Sequence, residues 1–219
     1  LTITTSGNIA GSYDASHMIV CNGASNSGSL VVQSNNTTGL TRTYPIGSGT
    51  SYTHMTISSL SGTVTSPASI SVNAVPTYYG AGGAISSDLN RYWNVVTTNL
   101  LGITADLSFT YVAGDVPGTG TESSYETSYY SGGNWSFNGA VNTGSHIASA
   151  SSASGLSGVW TARKPATTYY SYQSGPWATS TTWTTDASGT LSVNPAVPGA
   201  GDNVVILNGR TVTAQDAGR

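Results

Sequence analysis

Charged residues are scarce in this chain, and their scarcity excludes some classes of partner. Only 7% of the 219 residues are Asp, Glu, Lys or Arg, whereas roughly 25% is usual for globular domains. Lys164 is the single lysine and the net charge is −3, so no basic cluster is present to neutralise phosphates. We therefore do not expect a nucleic-acid partner.

Cysteine and long apolar runs are lacking as well. Cys21 is the single cysteine, which excludes a disulfide within the chain, and we expect it to be a buried, unreactive thiol. The apolar runs reach about five residues, far fewer than the ~20 that a membrane helix requires, so we do not expect membrane insertion. The sequence begins at Leu1 without a signal peptide, and we expect it to be a fragment of a longer protein.

Serine, threonine, glycine and aromatic residues dominate instead. The chain has 27 Gly, 13 Tyr and 5 Trp, a composition that favours strands and turns over helices and still permits a core. No window has helical periodicity. From Ala105 to Val112 the residues alternate, with Leu107, Phe109 and Tyr111 on one side, as in a strand with one buried face. The sequence therefore predicts an all-β protein.

Strand and turn signals divide the chain into four segments. Residues 1–40 are expected to be the end of a β-solenoid or a meander, with strands at 1–5, 17–21 and 29–33. Residues 41–163 predict an antiparallel, Ig-like β-sandwich of roughly seven to nine short strands. We expect these strands at 41–46, 52–58, 68–74, 91–97, 105–112, 124–130, 134–137, 145–149 and 158–162. Residues 164–168 are a linker, and 169–219 are the start of a second, truncated β-helical segment.

Several motifs, taken in order, resemble a known module. They are Arg42-Thr43-Tyr44-Pro45-Ile46-Gly47, Arg91-Tyr92-Trp93, Leu107-Ser108-Phe109-Thr110-Tyr111 with Gly114-Asp115-Val116, and Leu156-Ser157-Gly158-Val159-Trp160-Thr161-Ala162. Together they resemble the β-sandwich of very large, adhesin-like surface proteins that bacteria export by type IX secretion, although the last motif has Trp160 where the family more often has Phe. The later segment Pro198-Gly199-Ala200-Gly201-Asp202-Asn203-Val204-Val205-Ile206, with Trp177 and Trp183, resembles the first rungs of the parallel β-helix found in the same proteins.

Two carboxylates are the best candidates for a metal site. Asp115 follows a glycine at a strand end, and Glu122 follows the segment Pro117-Gly118-Thr119-Gly120. Their oxygens would suit Ca²⁺, the alternative being an Asp side chain that bonds its own turn backbone. We favour the turn role, because the density of carboxylates is low, and we expect no metal, cofactor or catalytic residue.

Adjacent aromatic residues are the candidates for binding. In a strand, one residue of each adjacent pair must face outward, and an exposed ring can stack on a sugar or a partner protein. Covering sheet edges or module junctions is the alternative, which we favour. The candidates are Tyr78, Tyr79, Tyr129, Tyr130, Tyr169 and Tyr170, with Tyr172 beside them. Trp93, Trp135 and Trp160 are assigned to the sandwich core, and Trp177 and Trp183 to the second module.

Catalytic signatures are absent from the sequence, which has no nucleophile elbow, phosphate loop or metal-ligand spacing. We therefore expect a non-catalytic structural or adhesive module of a large secreted bacterial protein, located outside the cell on its surface. Its expected partners are neighbouring modules of the same chain, the type IX secretion machinery and surface glycans. A carbohydrate-binding module and part of a β-helical polysaccharide-degrading enzyme are the alternatives.

Overall fold

The computed structural model describes residues 1–5, 9–21, 28–81, 87–118, 120–199 and 201–214. The chain forms two compact units, Leu1–Pro165 and Ala166–Arg219, so the division falls inside the expected linker 164–168. Residues 215–219, the end of the expected second segment, lie outside the described part. In that part, the helical elements are three single 3-10 turns, Ala113–Asp115, Glu122–Ser124 and Ser180–Thr182. None of its helices has the length and apolar character that a membrane span requires. The all-β prediction is confirmed.

Among the described residues, the first unit has twelve strands and the second has five. The strands of the first unit are β1 (Thr2–Ile3), β2 (Ile19–Val20), β3 (Leu30–Ser34), β4 (Leu40–Tyr44), β5 (Ile46–Ser48), β6 (Ser51–Tyr52), β7 (Met55–Val75), β8 (Tyr92–Thr110), β9 (Glu126–Ser131), β10 (Asn134–Asn142), β11 (Ile147–Ser154) and β12 (Gly158–Arg163). The strands of the second unit are β13 (Thr168–Ser171), β14 (Gly175–Pro176), β15 (Trp183–Thr184), β16 (Asn203–Val205) and β17 (Val212–Thr213).

Two long strands, β7 and β8, form the antiparallel spine of the first unit. The prediction of separate short strands was wrong here, because the expected strands 91–97 and 105–112 fall largely within one continuous strand of 19 residues, Tyr92–Thr110. Asn99 and Gly102, which resemble turn residues in sequence, take positive φ values of 56° and 57° inside that strand. The pairing register shifts at several points along the ribbon, as at β-bulges, so pairing continues through residues that would otherwise end a strand.

Five strands of the first unit close into a small barrel. The order is β8, β11, β10, β9 and β12, and β12 pairs back with β8, placing Trp160 opposite Trp93. Beyond the barrel, β7 continues the sheet from β8 and pairs with both β3 and β4. Residues 1–40 are thus part of the same unit, since β3 lies within them. Because the pairing of β12 with β8 closes the sheet into a barrel, the expected sandwich of two facing sheets is not confirmed.

The core fills the inside of the barrel and the adjoining sheet. A column of rings runs through it: Trp93 lies 5.1 Å from Phe109, Phe109 lies 5.5 Å from Trp160, and Trp160 lies 4.5 Å from Tyr129. Small residues face the rings from β11, where Ala148 and other alanines are buried. The expected burial of Leu107, Phe109 and Tyr111 is confirmed, as is that of Cys21, whose thiol pKa is raised by burial.

Parallel strand pairs occur near the N-terminus and again in the second unit. In the first unit Thr2 pairs with Val31, and Ile19 pairs with Ile46. In both pairs, the second strand follows the first by a similar number of residues. In the second unit, β13 pairs with β16 and β14 with β17 in the same way. Stacking at a constant offset is how a solenoid coil is built. Only one such turn is present in each described region, so a solenoid is not shown.

Candidate binding surface

The outer face of the barrel carries a row of residues contributed by five strands. The register joins them directly: Asn73 lies opposite Asn94, Asn94 opposite Val159, Val159 opposite Tyr130, and Tyr130 opposite Trp135. Directly opposite residues in antiparallel strands lie on the same face. Trp93 and Trp160 lie beside this row on the inner face, because side chains alternate along each strand. The barrel thus has a second, outward-facing set of large side chains.

Four rings meet on this face, and we call Tyr79, Tyr92, Tyr130 and Trp135 the outer aromatic cluster. The ring of Tyr79 lies 5.2 Å from Tyr92, 5.4 Å from Tyr130 and 6.1 Å from Trp135. Tyr130 and Trp135 are 5.0 Å apart. These are favourable separations for edge and offset contacts. Tyr92 is buried, whereas the other three rings are half-buried and therefore reach the surface.

The assignment of Trp135 to the core was wrong, because it lies on the outer face opposite Tyr130. The guanidinium carbon of Arg163 lies 4.4 Å from the centre of the Trp135 ring, as in a cation–π contact. Arg163 also forms an ion pair with Asp88, at 3.2 Å from Nε to Oδ2. Burial lowers the pKa of Arg163, and the nearby Asp88 carboxylate opposes that change. A cation therefore covers part of the Trp135 ring.

Two amide groups on the same row lack hydrogen bonds in the described part of the chain. They are Oδ1 of Asn73 and Nδ2 of Asn94, both shielded from solvent. Buried amide groups usually have a partner, since an unmade hydrogen bond costs about 1–3 kcal/mol. The two atoms are an acceptor and a donor, which lie next to the aromatic rings along the row. Two unsatisfied polar atoms are thus buried beside the aromatic rings on this face.

The remaining aromatic candidates are placed apart from this cluster. Tyr78 is exposed, beside Tyr79. Tyr129 turns inward to stack on Trp160, and its hydroxyl lies within hydrogen-bonding distance of two carbonyls, that of Ser157 at 2.7 Å and that of Gly155, to one of which its single proton is donated. In the second unit Tyr169 is buried, and Tyr170 and Tyr172 are half-buried. Among the candidates, the structure therefore brings Tyr79 and Tyr130 together. Trp183 is buried in the second unit, at 4.9 Å from the Trp177 ring.

The two carboxylate candidates have other partners in the structure. Asp115 is buried and accepts from Arg91 through both oxygens, from Nε at 2.6 Å and from Nη2 at 2.9 Å. Its Oδ2 also accepts from the backbone N–H of Val112, just before the 3-10 turn, which is the local bonding that we favoured. These bonds occupy the oxygens that Ca²⁺ would need. No cluster of three potential metal ligands occurs among the described residues.

Glu122 instead joins Tyr111 to His146. Its Oε1 accepts from the Tyr111 hydroxyl at 2.5 Å and lies 2.8 Å from His146 Nδ1. Burial and the Glu122 contact raise the pKa of Tyr111. His146 has a φ of 53°, and its carbonyl accepts from the Tyr111 backbone N–H. The three residues fasten the turn between β10 and β11 to the end of β8.

Sequence reasoning missed a buried charged cluster, formed by Asp88, Arg91, Asp115 and Arg163. All four are buried in a chain with only 6 basic and 9 acidic residues. The segment between Asp88 and Arg91 is also held through its backbone: Leu89 N–H donates to Ala162 and Asn90 N–H donates to Asp115. The scarcity of charged residues in the sequence was the signal that could have revealed this cluster. An arginine inside an apolar strand pattern requires a buried partner of opposite charge.

The chain matches no protein-family model, no curated protein and no solved structure. The class that the structure defines is an all-β protein with a small closed barrel, extended by a long antiparallel ribbon.

Proposed function

We propose that this chain is a non-catalytic structural and adhesive module of a large secreted bacterial cell-surface protein, of the sandwich and β-helix kind that its sequence resembles. The observation that carries the proposal is the pair of parallel turns: β1 with β3 and β2 with β5 in one unit, and β13 with β16 and β14 with β17 in the other. Each turn has a nearly constant offset, as in a coil, and an outer strand of a coil is where a further turn would pair.

The partners in this proposal are neighbouring β-modules of the same long chain and the type IX secretion machinery. Val205 and Ile206 support the first of these, because both are large apolar residues that stay exposed at or beside the outer strand β16. A further turn stacked there would cover them and pair the strand. The module would thereby connect and space its neighbours at the cell surface.

Location is the direct test. Antibodies against the chain should label intact cells, and protease added to intact cells should remove the protein while a cytoplasmic control protein survives. Cells that lack the type IX translocon should retain the protein inside the envelope. Recovery of the protein only from the cytoplasmic fraction of intact cells would refute the proposal.

The non-catalytic part of the proposal has its own test. Glu122 is the acid best placed beside a base, but its contacts are to Tyr111 and His146 on fixed elements. We expect no release of reducing ends or unsaturated products from a panel of polysaccharides. Turnover that Asp115→Asn or Glu122→Gln abolished in a folded protein would show that the chain is an enzyme.

Carbohydrate binding is the second candidate, and the outer aromatic cluster favours it. Tyr79, Tyr130 and Trp135 reach the surface together, and aromatic rings are suited to stack on sugar faces. Migration of the chain through a gel that contains a neutral polysaccharide should be retarded, and Trp135→Ala should remove the retardation. Leu101→Ala, at an exposed apolar residue elsewhere on β8, is the matched control. Equal retardation of both variants would refute binding at this cluster.

A further inference from the structure

Arg42 presents a guanidinium on the side of β4 that faces the core. Leu40 and Tyr44 lie on the same side of this strand, Leu40 packed against the core and Tyr44 within it. Thr43 points the opposite way, and its hydroxyl lies 3.2 Å from that of Thr56. A half-buried arginine among apolar neighbours is unusual, because removing a guanidinium from water is costly without a compensating anion.

The guanidinium has no such anion in the described part of the chain. Arg91 is paired with Asp115, and Arg163 with Asp88, but no carboxylate lies within ion-pairing distance of Arg42 among the described residues. Arg42 therefore differs from both other buried or half-buried arginines. The Tyr44 hydroxyl lies near enough for the Arg42 guanidinium to oppose the rise in the Tyr44 pKa that burial causes, but a neutral hydroxyl does not balance the charge, which is left for an anion from outside the chain.

A cavity of about 380 Å³ lies at this residue. Its walls include Ile3 of β1, Val32 of β3 and Pro45, together with Tyr13. Ligand sites in proteins span about 300–1,000 Å³ and combine apolar walls with a few polar groups that fix orientation. The volume is thus sufficient for one small ligand, and the lining around the single cation is mostly polar, with a smaller apolar part.

We propose that this cavity binds a carboxylated sugar, with the ligand carboxylate paired to Arg42. The guanidinium selects the carboxylate, because its planar fork of N–H groups matches two carboxylate oxygens. The sugar ring would find the hydroxyl group of Tyr13, and the Tyr13 ring for stacking. The Tyr13 hydroxyl donates to Ala10 at 2.9 Å, which leaves its oxygen free to accept. The site lies in the first unit and does not depend on the proposed cell-surface function.

The test uses the whole chain and galacturonate, with galactose as its neutral counterpart. NMR signals of the arginine Nε–H groups are followed during each titration. We expect saturable movement of the Arg42 signal with galacturonate and at least about tenfold weaker binding of galactose. Arg42→Gln should abolish the binding, and Arg42→Lys should retain part of it, since the charge remains but the fork is lost. Arg210→Gln, at an exposed arginine in the other unit, should bind like the unmodified chain.

The same experiment can overturn the inference in three ways. Equal binding of galactose would show that the charge does not select the ligand. Equal binding of N-acetylglycine, a carboxylate without a sugar ring, would assign the cavity to a peptide terminus or a simple anion. Unchanged galacturonate binding by a folded Arg42→Gln would place the site elsewhere. None of these results bears on where the protein is located in the cell.

Discussion

Arg91 and Asp115 form a bidentate ion pair inside the first unit. Nε of Arg91 lies 2.6 Å from Oδ2 and Nη2 lies 2.9 Å from Oδ1, with side-chain exposures of 2% and 8% for Arg91 and Asp115. The remaining Nη1 donates to the hydroxyls of Ser48 and Thr53 at 2.7 and 3.3 Å. This pair therefore connects the start of β8 with the 3-10 turn that follows it and with the β5–β6 region.

Breaking this pair should destabilise the first unit strongly. Removing one partner leaves an uncompensated buried charge, so Arg91→Met should lower the free energy of unfolding by about 3–5 kcal/mol. The double variant Arg91→Met/Asp115→Leu is the matched control, because it leaves neither charge of this pair buried without its partner and should recover most of that loss. Urea unfolding measures both. If Arg91→Met alone were as stable as the unmodified chain, the conclusion that this buried ion pair stabilises the first unit would be contradicted.

Removing the Trp93 ring from the barrel should be costly. Its side chain is fully buried, and its Nε1 donates to the carbonyl of Thr53 at 2.9 Å. Trp93→Ala should cost about 3–5 kcal/mol, since it opens a cavity and leaves that carbonyl without its donor. Val96→Ala, at an exposed position on the same strand, should change stability by less than about 0.5 kcal/mol. An unchanged denaturant midpoint for Trp93→Ala would show that the core is assigned incorrectly.

Alkaline pH should unfold the first unit through its buried tyrosines. Burial raises the pKa of Tyr44, Tyr111 and Tyr125, the last to about 12. The unfolded value is about 10, so the folded state favours the protonated form. This contribution to stability is complete below pH 10 and is lost as the pH rises towards 12.

The titration of tyrosinate absorbance provides the measurement. In the folded chain part of the 13 tyrosines should ionise late, together with unfolding, whereas all should ionise together in denaturant. Tyr125→Phe should make stability less dependent on pH between 10 and 12, although it also removes the hydrogen bond to Ser87. Complete ionisation of every tyrosine near pH 10 with the fold intact would contradict the prediction.

Local pattern was sufficient for some elements of the fold and insufficient for others. Alternation along Leu107, Phe109 and Tyr111 predicted the buried face correctly, because it depends only on the period of a strand. Asn99 and Gly102 predicted a break that the structure lacks, since the same residue types suit a bulge as well as a turn. Closure of the barrel depends on pairing Trp93 with Trp160, which are distant in sequence, and no local signal encodes that register.

The candidate surface was predicted only in part, because local alternation along a strand does not give the register between strands. Adjacent tyrosines indicated that one ring of each pair faces outward, and Tyr130 does so while Tyr129 turns inward. Which of the two would do so, and which neighbours it would meet, depends on the register of five strands. Trp135 therefore could not be assigned to the outer face from its own segment.

The central claim is that neighbouring β-modules stack on the parallel turns, and hydrogen exchange of the turn in the second unit tests it most directly. In the isolated chain, the amides of residues 204–213 should exchange at least about tenfold faster than those of residues 91–97, because β16 and β17 are short and Val205 and Ile206 are exposed. In a longer segment of the natural protein, the protection of residues 204–213 should rise while that of 91–97 stays the same. Equal protection of both segments in the isolated, monomeric chain would show that the second unit is complete by itself, and would contradict the account.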